Sequence, residues 1–119
     1  MKRLSLIIAV LAISASTAIA FAPNEVAYSS GEKTADATIL TGTGYFHQII
    51  VMPDGTNDVT VTVYDNTASS GTKILPTMTF SGTGGAQATP PVWVGVNTGI
   101  RVDITTVGAV AYTVYYRGR

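Results

Sequence analysis

The stretch Val59-Thr60-Val61-Thr62-Val63-Tyr64-Asp65 alternates strictly between β-branched apolar and polar side chains. A period of two suits a strand with one wet and one dry face and is incompatible with an amphipathic helix, which needs apolar residues three and four apart. The valines are expected on the buried face, with Thr60, Thr62 and Tyr64 on the other. Gly99–Thr105 repeats the pattern, with Ile100, Val102 and Ile104 inward and Arg101 and Asp103 outward. In the segment 109–117, Val110, Tyr112, Val114 and Tyr116 share one face.

The remaining strands are less regular. Tyr45–Met52 is apolar on both faces, as a central strand should be. Lys73–Phe80 places Ile74, Met78 and Phe80 on one side, but Pro76 cannot donate to a ladder and restricts the segment to a sheet edge or bulge. Pro91–Val96 sets Val92, Val94 and Val96 against Trp93. Thr38–Leu40 is short, and Val26–Ser29 is the weakest candidate. The segments 53–58 and 106–108 read as hairpin connections, and 66–71 and 81–90 as longer turns. About seven to eight short strands with period-two patterning predict an all-β fold: an antiparallel β-sandwich, jelly-roll-like.

Residues 1–20 differ from the rest. Lys2 and Arg3 precede the apolar run Leu4–Ile13, and Ala18-Ile19-Ala20 matches a small-residue cleavage site. This predicts a signal peptide over 1–20, an N-terminal arm over 21–36 and the sandwich over 37–119. The apolar run is shorter than the roughly 20 residues that a membrane-spanning helix requires. No stable membrane span is therefore expected after cleavage, and the product is expected to be secreted, extracellular or periplasmic. The arm contains Val26, Ala27 and Tyr28, enough for a short strand expected to dock on an exposed edge of a neighbouring copy or a partner with Tyr28 as the anchoring ring, the Pro76 strand being the expected edge.

Composition narrows the chemistry. Hydrophobic residues make up 46% and charged residues 12%, with seven basic and seven acidic side chains. Nucleic-acid binding needs clustered cations and is not expected. There is no cysteine, which excludes disulfides and thiolate metal sites. His47, the one histidine, lies mid-strand and reads as a half-exposed structural residue rather than a general base. Gly42-Thr43-Gly44 and Gly82-Thr83-Gly84-Gly85 lack the lysine and helix of a phosphate loop and read as turns. The segment 54–58 spaces oxygen side chains as a calcium loop does, but Val59 and Asp65 stand where such a loop needs glycine and glutamate. Asp65-Asn66 is expected to cap the turn that follows it. No catalytic residue, metal or cofactor is expected.

Six tyrosines and a tryptophan put large amphipathic rings on a small domain. Most are expected to close the core or pair across strands. Tyr28, Tyr64, Trp93 and Tyr115 are the candidates for an interface.

The run from Val59 to Thr72, with its YDNTASSGT segment, preceded by a glycine-bounded strand at Gly44–Val51 and followed by a tyrosine-rich strand at Val110–Arg117, resembles small phage virion proteins. The resemblance implies a β-sandwich serving as a head-decoration, head-fibre or tail-associated component that forms homo-oligomers. The leading expectation is thus a non-enzymatic structural protein of a virion or surface filament. A secreted carbohydrate-binding module that stacks sugars on Trp93 and tyrosines is the alternative. A small hydrolase built on carboxylates such as Asp65 and Asp103 is the weakest reading.

Overall fold

The computed structural model describes residues 26–119. The expected signal peptide at 1–20, its cleavage site and the first part of the arm lie outside the described residues. Ten strands form: β1 (Tyr28–Ser29), β2 (Ala37–Thr41), β3 (Gly44–Pro53), β4 (Val59–Asp65), β5 (Thr72–Lys73), β6 (Met78–Phe80), β7 (Gln87–Ala88), β8 (Val94–Val96), β9 (Gly99–Thr105) and β10 (Val110–Gly118). All pairings are antiparallel. The first sheet runs β1-β10-β3-β7, with β8 also on β3. The second runs β2-β9-β4-β5, with β6 also on β4. The chain is an antiparallel β-sandwich.

Prolines explain why ten strands fill eight positions. β5 and β6 lie end to end along β4, on the edge away from β9, and Pro76 sits in the gap between them. Lys73–Phe80 is therefore an edge, as expected, but an interrupted one. β7 and β8 likewise share the outer edge of β3, separated by Pro90-Pro91. Only Val94–Val96 of the expected Pro91–Val96 strand pairs; Val92 lies outside it and is exposed. With each interrupted pair counted once, the two sheets follow the strand order of a jelly roll.

That order corrects the two connections read as hairpins. The segment 53–58 leads from β3 in one sheet to β4 in the other, and 106–108 leads from β9 to β10, again between sheets. Both are corners of the sandwich. Asp and Gly satisfy the backbone of a chain reversal whichever sheet receives the next strand, so the turn residues alone do not distinguish the two. The segment 66–71 does join strands of one sheet.

The core fills the space between the sheets. Val59, Val61 and Val63 from β4, Ile100 and Val102 from β9, and Tyr112 and Val114 from β10 are buried in the facing that alternation predicts, together with Phe46, Ile49 and Val51 from β3. Among the described residues no buried side-chain nitrogen or oxygen lacks a partner. The buried Thr89 accepts the Ile49 N–H at 3.2 Å, supplying one of the backbone partners that the Pro90-Pro91 interruption removes from the β3 ladder.

The expected boundary at residue 37 also moves. Tyr28 and Ser29 pair with Tyr116 and Tyr115 of β10. Ser30 N–H donates to the Val114 carbonyl, and Lys33 and Tyr112 exchange backbone hydrogen bonds. The arm thus supplies an edge strand to its own sheet and does not lie against the Pro76 edge. β10 would otherwise present an open ladder, and the nearest segment able to fill it is the one tethered just ahead of β2.

Candidate functional site

The two outer faces of the sandwich differ. On the β2-β9-β4 sheet, Thr60, Thr62 and Tyr64 align with Thr105, Asp103 and Arg101. These groups satisfy one another: Thr60 bonds Thr79, Thr62 bonds Thr77, and Arg101 Nε donates to Asp103 Oδ1 at 3.0 Å. Ser69 Oγ donates to the same carboxylate oxygen at 2.9 Å. The face is polar and internally paired.

The outer face of the β10-β3 sheet is aromatic and apolar. Register places Tyr45 beside Arg117, Gln48 beside Tyr115, Ile50 beside Thr113 and Met52 beside Ala111. A bulge shapes one end. Tyr115 pairs with Gln48 but Tyr116 pairs with Phe46, so His47 is the extra residue of β3, and the inward sequence steps from Phe46 to Ile49. His47 stacks on Trp93, ring centroids 4.2 Å apart and planes 26° apart. Its Nδ1 donates to the Val92 carbonyl at 2.9 Å; a carbonyl only accepts, which places a proton on Nδ1.

Tyr45 meets Trp93 edge to face at 6.5 Å. The Arg117 guanidinium lies over both rings, 5.0 Å from Tyr45 and 5.4 Å from Trp93. Arg119 also covers Tyr45 and donates to its hydroxyl at 3.2 Å. Three rings and two cations thus share one end of the face. Trp93 is 41% exposed and Met52 48%, so the face carries large apolar surface.

The four expected interface residues are not brought together. Trp93 and Tyr115 belong to this face. Tyr64 points outward from the opposite sheet, and Tyr28 shares the core-side register of Tyr116 at the β1 edge, 59% exposed. Tyr45, Arg117 and Arg119 complete the cluster. The alternation that puts Tyr45 and His47 on one side of β3 signals the first of them, whereas only the folded register brings the arginines to it.

The carboxylates have structural partners. Asp65 accepts the N–H groups of Asn97, Thr98 and Gly99, so it caps the β8–β9 corner and not the turn that follows it. Asn66 alone does that, accepting the Thr67 N–H and donating to the Ser70 carbonyl. Partial burial pushes the Asp65 carboxyl upward, but the donors of Thr98, Asn97 and Gly99 outweigh it and hold the group below its ordinary value. Asp54 is also held low, by the Asn57 backbone and side-chain N–H groups and the Thr56 N–H. Its oxygens thus serve the turn. Among the described residues no group of three or more His, Asp or Glu side chains is placed to hold a metal ion.

Comparison of the chain with protein-family models, with curated proteins and with solved structures finds no match.

Proposed function

We propose that this chain is a non-enzymatic structural protein that assembles through its aromatic sheet face, as a homo-oligomeric component of a virion or a surface filament. The observation that carries the reading is the asymmetry of the two outer faces. One is a paired polar lattice; the other exposes Trp93 within a ring cluster at one end and Met52 at the other. Trp93 and Met52 leave large apolar side chains exposed on this sheet face, and apolar surface of that kind on a sheet face fits one covered by another protein. The resemblance of Val59–Thr72 to phage virion proteins supports the virion setting, and the apolar leader supports export for the filament setting.

Carbohydrate binding is the second reading, favoured by the exposure of Trp93 on a sandwich face. It is weaker because stacking needs an open ring face. His47 covers one face of Trp93, and Arg117 and Arg119 lie over Tyr45. Size-exclusion chromatography with light scattering and electron microscopy of the full chain tests the choice. A discrete oligomer or fibre is expected. A monomer at all concentrations that is retained on immobilised polysaccharide overturns the assembly reading in favour of the sugar.

A further inference from the structure

The aromatic face carries opposite charges at its two ends. Arg117 and Arg119 sit over Tyr45 at one end. At the other, Glu32 and Asp54 line a shallow recess with Thr34, Met52 and Ala111. Asp54 keeps its charge although its oxygens bond within the turn, and the other charged side chains of the described residues make their contacts away from this face. Arg101 and Asp103 pair on the opposite sheet, Lys73 donates to Thr77 there, Asp36 accepts the Ile104 N–H, and Asp58 accepts the Gly82 N–H. Lys33 registers with the inward Tyr112.

Along β3 the arginine end is separated from Glu32, level with Ile50, by about 16 Å and from Asp54, beyond Pro53, by about 27 Å at the rise of an extended strand. Both exceed the screening length of roughly 8–10 Å at ordinary salt, so within one molecule the two ends do not neutralise each other. Between them lie Gln48, Ile50, Thr113 and Tyr115, an uncharged strip that Glu32 borders beside Ile50 and Thr113. Charge at both ends with opposite sign and an uncharged middle is a self-complementary pattern.

We propose that the occupant of this face is a second copy of the same chain, packed face to face. The two-fold axis lies in the interface and crosses the strands. Such an axis places the Arg117–Arg119 end of each copy over the Glu32–Asp54 end of the other and stacks the uncharged strips. An axis along the strands would set like charges together, so charge selects the first arrangement. The contact is isologous: each residue pair occurs twice. This inference rests on the assembly reading and names its contact.

The test uses the full chain with Glu32→Lys and Arg119→Glu, both exposed positions, and circular dichroism to establish that each variant is folded. Sedimentation equilibrium should show a dimer at about 50 mM NaCl whose dissociation constant rises as salt is raised to about 500 mM. Each variant alone should weaken the dimer about tenfold or more, because like charges then meet at two symmetric positions. An equimolar mixture of the two variants should regain the original affinity as a heterodimer, since both contacts become attractive. Failure of the mixture to recover overturns the proposed register. An oligomer unaffected by either variant also overturns it, while leaving assembly through another surface intact. A chain monomeric under all of these conditions overturns both this contact and the assembly reading.

Discussion

His47 stacks on Trp93 across the β3–β8 edge, its Nδ1 tied to the carbonyl of the residue before that tryptophan. The imidazole can reach because the β3 bulge adds a residue at this point, and because regular β8 pairing ends at Val94, with the Val92 N–H still donating to the His47 carbonyl at 3.1 Å. A strand discontinuity on each side of one edge creates the ring cluster.

Because Trp93 remains 41% exposed, it contributes little to the core. Trp93→Ala should lower stability by only about 1 kcal/mol, the scale of a ring pair and a cation contact at a surface. Self-association should be lost at the same time. Urea unfolding and light scattering on the same preparation measure the two effects. A loss above about 3 kcal/mol would mark the ring as core and not surface.

Asp65 gives a prediction about acid. Its folded carboxyl titrates below its ordinary value of 3.8, so its contribution is complete above about pH 4 and is lost as pH falls through the lower folded value. Asp65→Asn should cost about 1–2 kcal/mol at neutral pH, the range for hydrogen bonds to a charged acceptor with allowance for solvent. It should also flatten the acid limb of the stability curve. Thermal melts between pH 2 and pH 7 would show it; an unchanged acid limb would mean that another group controls it.

Val61 is fully buried between Ile104 and Met78 in the β4 ladders. Val61→Asp should abolish folding, because an unpaired buried charge costs several kcal/mol against a total stability of about 5–15. One residue on, Thr62→Val replaces an outward hydroxyl bonded to Thr77 and should cost no more than about 1 kcal/mol. A folded Val61→Asp protein with an unchanged melting temperature would refute the facing of β4.

This contrast marks how far the residues alone carry the fold. Alternation in β4, β9 and β10 specifies which side chains are dry, because one face of each strand has water and the other does not. The turn chemistry of 53–58 and 106–108 specifies a reversal but not the sheet of arrival, so the sandwich was legible and its corners were not. The site was less legible still. Tyr45, His47, Trp93, Arg117 and Arg119 come from three separate stretches, and their meeting depends on a bulge register that no local pattern encodes. Trp93 and Tyr115 could be picked out as amphipathic rings, but grouping Tyr64 and Tyr28 with them required knowing which sheet and which edge each strand joins.

Tyr112 predicts the alkaline behaviour. Its hydroxyl donates to the Ala35 carbonyl at 2.6 Å, and burial, with the nearby Asp36 charge, pushes its ionisation up to about 12. The neutral phenol is therefore favoured by folding. Its contribution is whole below pH 10 and fades as pH rises from 10 through about 12. Tyr112→Phe should cost about 1 kcal/mol at neutral pH and flatten the alkaline limb. Absorbance titration of the folded wild type should show one of the six tyrosines ionising late; a single step near pH 10 would contradict the buried hydrogen bond.

The segment ahead of β2 gives the final prediction. Tyr28 and Ser29 pair with β10, Ser30 N–H donates to the Val114 carbonyl, and Val114 N–H donates to the Ser30 hydroxyl. Deleting residues 26–32 from the chain removes those partners and uncovers backbone along β10 from Val114 to Tyr116, next to the core. An uncovered edge beside an apolar face is a template for pairing between chains. The deletion should therefore lower the melting temperature and raise the tendency to form β-rich aggregates, with amide exchange accelerating first in β10. Light scattering during a thermal ramp and hydrogen exchange measure the two effects. A shortened chain that stays monodisperse with wild-type stability would show that this stretch is a passive tether and that β10 needs no cover.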